Sequence, residues 1–165
     1  MLILVCGLPG TGKTHFAKAL AKAIGAVHIS SDQIRMKEIK QRTYSQEEKD
    51  KIYKLMAQEA AVHLGKRDVI LDATFYLAKY RNMMKEVAEN AGVQFHLILC
   101  NLEESELRLR MEKRRKEKSE SEADFGVYLK LKKEFKPVIE EHLEIDTALP
   151  LEKNLEKAIA WMKRR

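Results

Sequence analysis

The chain has 165 residues, of which 45% are hydrophobic and 34% charged, and its formal net charge at pH 7 is +6. This length predicts one domain, over residues 1–165, with a single substantial core. No apolar run approaches the roughly 20 residues of a membrane-spanning helix, and the first run is too short for a secretory signal, so we expect a cytoplasmic protein without a membrane partner.

The first predicted elements are an apolar strand over residues 2–6, a loop of the pattern G-x-x-x-x-G-K-[ST], and an amphipathic helix that Gly25 ends. The loop residues are Gly7, Leu8, Pro9, Gly10, Thr11, Gly12, Lys13 and Thr14. This order of strand, loop and helix predicts a P-loop for a nucleoside triphosphate, with ATP as the expected cofactor. Lys13 would lie near the β- and γ-phosphates, and the Thr14 hydroxyl would bind Mg²⁺.

A second short strand is predicted over residues 27–30, followed by a helix from Asp32 to about Gln41. Asp32 can orient or deprotonate a hydroxyl acceptor, or it can serve as the N-cap of that helix. Arg35 lies on the same helical face, where its guanidinium can bind a phosphate or a carboxylate of the acceptor.

The segment from Ser45 to Glu48 is typical of a capping box, and it opens a long helix that Gly65 ends. A third strand over residues 69–71 ends at Asp72, as a Walker-B-type strand does. Asp72 can hold Mg²⁺ through water, pin Arg35, or cap a turn, and spacing alone does not separate these roles. Thr74 is expected to contact the acceptor.

The remaining chain predicts a helix that Gly92 stops, a strand over residues 95–100 and a highly charged helix from about residue 103. That helix carries Arg110 and Arg114 one turn apart, where they suit a bound triphosphate; an ordinary surface helix is the alternative. A mobile loop is expected from Ser119 to Asp124. A helix over residues 123–135, a weak strand over 143–146 and a terminal amphipathic helix complete the chain.

This alternation of strands and helices predicts an α/β fold with a parallel sheet covered by helices on both sides. Ligands of such sheets bind beyond the carboxyl ends of the strands, where the P-loop, Asp32 and Asp72 are all expected. Cys6 and Cys100 each end an apolar run, so buried thiols are expected rather than a disulfide. No spacing of Cys and His indicates a zinc site.

Several stretches together have the pattern of one enzyme family. They are Gly7-x-Pro9-Gly10-x-Gly12-Lys13-Thr14, Ser31-Asp32-x-x-Arg35, Val69-Ile70-Leu71-Asp72-Ala73-Thr74-Phe75, Arg81, Arg110-x-x-x-Arg114, and Glu122-Ala123-Asp124 through Phe135-x-Pro137. With these, the chain resembles the small P-loop kinases that include polynucleotide 5′-kinases, zeta-toxin-like kinases and AAA-domain kinases.

The resemblance implies a three-layer α/β/α fold with strand order 2-3-1-4-5 and a helical lid over approximately residues 108–135. It implies that Asp32 is the general base and that Arg35 binds an acceptor phosphate. Arg110 and Arg114 would close over ATP, and the segment around Thr147 would lie beside the adenine.

The acceptor itself stays open at this stage. In polynucleotide kinases Thr tends to follow the strand-three Asp directly, whereas Ala73 intervenes here, and the Asp-x-x-Arg arrangement is also similar to that of adenylylsulfate kinases. The expected function is transfer of the ATP γ-phosphoryl group to a small molecule, a nucleoside, a nucleotide or a polynucleotide 5′-end. The alternatives are a nucleotide-binding ATPase or switch without an acceptor, and a nucleic-acid-binding module. Such a module would use the basic clusters at residues 113–116, 130–133 and 163–165.

Overall fold

The computed structural model describes residues 1–39, 43, 45–116 and 125–164, with the backbone alone for residues 114–116. The helices and strands, numbered in chain order, are β1 (Leu2–Cys6), α1 (Lys13–Ile24), β2 (Val27–Ser30), α2 (Ser31–Glu38), α3 (Gln46–His63), β3 (Val69–Asp72), α4 (Ala78–Asn90), β4 (Phe95–Asn101), α5 (Glu104–Lys116), α6 (Phe125–Glu134), β5 (Leu143–Asp146) and α7 (Leu151–Lys163). Among these helices, none is long and apolar enough to cross a bilayer.

The five strands form one parallel sheet in the order β2-β3-β1-β4-β5. Helices cover both faces, so the predicted fold class and strand order are confirmed. Strand β1 is central, because it pairs with β3 on one side and with β4 on the other. Every residue of β1 is fully buried, as expected for a parallel strand with helices above and below it.

Side chains that alternate along the strands divide the interior into two cores. Leu2 and Leu4 belong to the core on the side of α3 and α4. Ile3 and Val5 belong to the other core, which lies on the side of α1 and α7. The sheet therefore separates two apolar layers, and its carboxyl edge, where β1 runs into the P-loop, is left for polar chemistry.

The two cysteines are free thiols and both are buried, as the sequence predicts. Cys6 ends β1 and lies in the core beside α3 and α4, whereas Cys100 lies on neighbouring β4 in the core beside α1 and α7. Burial raises the pKa of the Cys6 thiol to about 12, and it raises the pKa of Cys100 as well. The thiols are thus neighbours in the sheet that face opposite layers.

Helix α2 begins and ends earlier than the sequence predicts. Its N-cap is Ser30, whose hydroxyl accepts a hydrogen bond from the Asp32 N–H, so the alternative of Asp32 as the N-cap is wrong. The helix ends at Glu38 rather than near Gln41.

Helix α3 has the predicted Ser45 cap, since the Ser45 hydroxyl accepts from the Glu48 N–H. The second half of the capping box is absent, because the Glu48 carboxylate binds other partners and the Ser45 N–H donates to Thr43. Helix α6 is described from Phe125 to Glu134, and its predicted start at residue 123 lies outside the described residues. The predicted loop from Ser119 to Asp124 lies outside the described residues.

Candidate functional site

The loop between β1 and α1 has a backbone conformation that its glycines permit. Gly7 has φ +149°, and a Cβ there would lie 2.5 Å from the carbonyl oxygen of Cys100. Any larger residue would therefore collide with the backbone of β4. The Thr11 hydroxyl and N–H both bond to the Leu8 carbonyl, at 2.8 and 3.3 Å, and close the loop into a tight turn.

The amino end of α1 opens this loop toward an anion. Gly12 caps the helix in the left-handed conformation, with φ +80° and no side-chain hydrogen bond. The first N–H groups of an α-helix have no partner inside the helix, and its dipole is positive at that end. Lys13 begins the helix, and its ammonium group makes no hydrogen bond or ion pair to another described residue. Backbone donors and one ammonium group are thus available for phosphate oxygens.

A buried carboxylate lies at the end of the strand beside β1. Asp72 pairs with Val5 across the sheet and is 1% exposed. Its Oδ2 atom is 3.3 Å from Nε2 of His28, and its Oδ1 atom has no hydrogen-bond partner among the described residues. Arg35 binds other carboxylates, so the contacts give no support to the alternative in which Asp72 pins Arg35.

The free Oδ1 atom suits a divalent cation, because a buried carboxylate oxygen without a partner is costly unless it binds a proton donor or a metal. The Thr14 hydroxyl, at the start of α1, is the second oxygen expected for Mg²⁺. Among the described residues no cluster of three His, Cys, Asp or Glu side chains could hold a metal. One carboxylate and one hydroxyl, from Asp72 and Thr14, fit Mg²⁺, because this ion keeps several waters and takes further oxygens from phosphates.

On the other side of β3, a charged network fixes the start of α2. The Arg35 guanidinium donates from Nη1 to Asp32 at 3.1 Å and from Nε to Glu48 at 2.9 Å. The Glu48 side chain is only 5% exposed, and its second oxygen accepts from the N–H and the hydroxyl of Thr43. Asp32, by contrast, is 62% exposed. The network therefore anchors Arg35 in the protein and leaves one carboxylate facing solvent.

The first of the two predicted phosphate-binding arginines, Arg110, lies against the P-loop. Arg110 on α5 donates to the carbonyl of Thr147 at 2.8 Å and to its hydroxyl at 3.3 Å. The Thr147 hydroxyl in turn donates to the Thr11 carbonyl. The Arg110 Nη1 atom also lies 3.3 Å from where a Cβ on Gly12 would be. The loop after β5, the P-loop and α5 therefore meet at one point.

The structure thus brings the predicted residues into groups along one edge of the sheet. The P-loop, Arg110 and Thr147 form one group, and Asp32 with Arg35 forms another. Thr74 is half-buried, and its carbonyl accepts from the Gly7 N–H at 3.4 Å. The side chain of Arg114 lies outside the described residues.

Three residues at this edge were not predicted to have their observed partners. In the sequence, Glu48 belongs to the capping-box pattern and Arg81 to the family pattern, and no pattern singles out His28. Their partners are 13, 44 and 59 residues away in the chain, so no local spacing could reveal them.

A family model described as AAA domain matches residues 2–138, which is most of the chain. The chain belongs to this AAA domain family. Comparison of this AAA domain protein with curated proteins gave no match.

Solved structures share the fold of the AAA domain protein over nearly its whole length. A gluconokinase from Sinorhizobium meliloti 1021 has a TM-score of 0.74 at 19% identity, with 99% of this chain and 91% of that chain covered. The Mycobacterium tuberculosis APS kinase, solved with AMPPNP and APS, has a TM-score of 0.78 at 16% identity, covering 98% and 96%. Chaetomium thermophilum Kti12, solved with ADP-AlF3, has a TM-score of 0.76 at 18% identity, covering 97% and 98%.

At these identities the likeness establishes the fold alone. The AAA domain protein has a P-loop kinase-like fold, which agrees with the predicted resemblance to small P-loop kinases at the level of the fold.

Proposed function

We propose that this AAA domain protein is an ATP- and Mg²⁺-dependent kinase that transfers the γ-phosphoryl group to a hydroxyl acceptor. The acceptor is a small molecule, a nucleoside, a nucleotide or a polynucleotide 5′-end. The observation that carries the proposal is the exposed Asp32 carboxylate, which Arg35 holds at the carboxyl end of β2, on the sheet edge that also carries the P-loop. A P-loop is also found in switches and ATPases, so it does not by itself indicate a kinase. A kinase additionally needs a base such as Asp32 to deprotonate the acceptor hydroxyl.

On the donor side, the backbone of residues 7–14 would bind the phosphates and Lys13 would lie against the β- and γ-phosphates. Arg110 and Arg114 would add positive charge from α5, and Thr147 would lie beside the adenine. Thr14 and, through water, Asp72 would hold Mg²⁺, which supplies charge neutralisation on the phosphate oxygens when it is bound.

On the acceptor side, Asp32 would accept the proton of the attacking hydroxyl. The hydroxyl oxygen forms a bond to the γ-phosphorus while the bond from that phosphorus to the β–γ bridging oxygen breaks, and ADP leaves. Arg35 would bind a phosphate or carboxylate of the acceptor, and Thr74 would add a polar contact. The anchor on Glu48 supports this assignment, because a guanidinium held in one position loses less entropy when it binds a ligand.

The test is transfer of labelled phosphate from ATP to a panel of acceptors. The panel holds 5′-hydroxyl RNA and DNA, nucleosides, sugars and adenylylsulfate. Asp32→Asn should keep ATP affinity, measured by calorimetry, and lower transfer by roughly a hundredfold or more, because the base is lost. Lys13→Ala should weaken ATP binding or abolish transfer with the fold intact. Glu38→Gln, an exposed carboxylate on the same helix, is the matched control and should leave both unchanged.

Two outcomes would contradict the proposal. Full transfer by Asp32→Asn would mean that the acceptor binds elsewhere. ATP hydrolysis by the wild-type protein with no transfer to any acceptor would favour the nucleotide-binding ATPase or switch.

A further inference from the structure

Arg81 on α4 is a buried cation that the proposed reaction does not use. It is 1% exposed, and its guanidinium donates to four acceptors. These are Oε1 of Glu140 at 3.0 Å and the carbonyls of Phe75, Lys136 and Pro137 at 3.1, 3.4 and 2.9 Å. These hydrogen bonds offset the cost of burying the guanidinium, so Arg81 adds little net stability. The same hydrogen bonds fix the positions of the groups that accept them.

The acceptors of Arg81 belong to two separate parts of the chain. Phe75 lies in the loop between β3 and α4, and the other three lie in residues 136–140, directly after α6. A backbone hydrogen bond from the Lys136 N–H to the Tyr76 carbonyl, at 2.8 Å, joins the same two parts. Without the guanidinium, three carbonyls would converge on one buried point with no donor between them.

The loop between β3 and α4 also reaches the P-loop. The Gly7 N–H donates to the Thr74 carbonyl, one residue before Phe75. Phe75 has φ +48°, a left-handed conformation that is strained for a residue with a Cβ, and its N–H donates to the hydroxyl of the buried Tyr53. Loop residues 74–76 are therefore bonded in turn to the P-loop, to α3 and to the segment after α6.

This chain of contacts gives a physical path between two regions of the molecule. A shift of the P-loop backbone at Gly7 would act on Thr74, and the strained turn at Phe75 would transmit it to the Arg81 guanidinium. The guanidinium holds residues 136–140, and α6 ends only two residues earlier, at Glu134. Rigid elements joined by fixed hydrogen bonds of this kind can carry coupling between sites.

We propose that Arg81 is a positioning residue that couples nucleotide binding at the P-loop to the position of α6 and of the segment after it. The inference rests on the proposed nucleotide binding at the P-loop, but it does not depend on the identity of the acceptor. Arg81 holds the segment after α6 directly and reaches the P-loop only through the loop between β3 and α4.

The experiment is amide hydrogen exchange with and without AMPPNP and Mg²⁺. In the wild-type protein the nucleotide should slow exchange at least threefold in residues 7–16 and in residues 125–141. In Arg81→Met the protection of residues 7–16 should persist, while the nucleotide-dependent protection of residues 125–141 should be lost. A purely structural role would speed exchange in both states and leave the nucleotide-dependent difference in place.

Two further variants keep the test decisive. Met84→Ala removes a fully buried side chain from the same helix without touching a polar contact, so it should lower the melting temperature and keep both protected regions. Glu140→Gln keeps the shape of the ionic partner. It should at least halve the nucleotide-dependent protection of residues 125–141 even if Arg81→Met does not fold.

The outcomes separate the two proposals. No protection of residues 7–16 in the wild-type protein would overturn the proposed nucleotide binding, and the coupling with it. Protection of residues 7–16 without any at 125–141 would overturn the coupling alone. Protection at 125–141 that is unchanged in Arg81→Met or in Glu140→Gln would make Arg81 a structural residue and would also overturn the inference.

Discussion

Glu48 has its side chain in a buried network rather than at a helix cap. One of its oxygens accepts from Arg35 and the other from Thr43, so the carboxylate joins α2, α3 and the chain between them. Removing one member of a buried ion pair is costly, because the partner charge stays behind in a poorly solvated place. The position of Arg35 therefore depends on Glu48.

Glu48→Gln is expected to lower the free energy of unfolding by about 1–3 kcal/mol, because a hydrogen bond between two charges becomes one to a neutral amide. The KM for the acceptor should rise while ATP affinity holds, since Arg35 loses its anchor and the P-loop does not. Urea denaturation and calorimetry measure the two effects. Glu47→Gln, an exposed neighbour, is the control, and equal stability of both variants would contradict the anchoring role.

Residue types and their local spacing made part of the site predictable. Gly7, Gly12 and Lys13 form a motif within seven residues, and Asp32 and Arg35 lie one helical turn apart, so their neighbours could be inferred from the sequence. Arg81 and Glu140 are 59 residues apart, and only the folded chain brings them together. The unpartnered Oδ1 atom of Asp72 likewise depends on which side chains the sheet brings beside it.

At the scale of elements, Thr147 links α5 to the P-loop. The Thr147 side chain donates to the Thr11 carbonyl and accepts from Arg110, so the loop after β5 lies between α5 and the P-loop. Arg110 also bonds to the Thr147 carbonyl, which no side-chain substitution removes.

Thr147→Val is expected to cost about 0.5–1.5 kcal/mol of stability, because it removes the hydroxyl and leaves the Thr11 carbonyl without that donor. ATP affinity should fall several-fold, since Thr11 and Gly12 lose a fixed neighbour. Thermal denaturation and calorimetry measure these effects. Thr147→Ser keeps the hydroxyl and should resemble the wild-type protein; if both substitutions weaken ATP binding equally, the methyl group rather than the hydroxyl is responsible.

Elements were predicted more reliably in their order than in their ends. The apolar runs of β1, β3 and β4 are long enough to mark buried strands. The helices predicted between them are the crossover connections that join parallel strands. The ends of α2 depend instead on which polar side chain satisfies the first N–H groups. Ser30 and Asp32 are both good N-cap residues, and the helix uses Ser30.

At the scale of the whole molecule, the sheet buries one thiol in each core. Burial raises the pKa of Cys6 from 9.0 to about 12, and it raises the pKa of Cys100 as well, because a thiolate is poorly solvated there. Below the folded pKa each native thiol therefore stays protonated. In the unfolded chain it ionises near its ordinary pKa, so stability falls as the pH rises from about 9 toward 12.

Neither cysteine should react with an aromatic disulfide reagent in the native protein at pH 8, and both should react once urea unfolds the chain. Raising the pH from 8 to 9 should leave native labelling slow, because burial raises the pKa of both thiols and keeps them protonated at pH 9. The absorbance of the released thiolate measures the rate. Rapid native labelling of either cysteine would show that its core admits the reagent.

Because Cys6 and Cys100 face opposite layers, the chain carries a separate natural reporter on each side of its sheet. Mass spectrometry of chains labelled at low urea would then resolve the order in which the layers admit water. Equal labelling of both thiols would mean that the domain opens as one cooperative unit. An excess at Cys6 would mean that α3 and α4 detach while α1 and α7 still cover the other face, so that the core beneath the P-loop helix outlasts the rest.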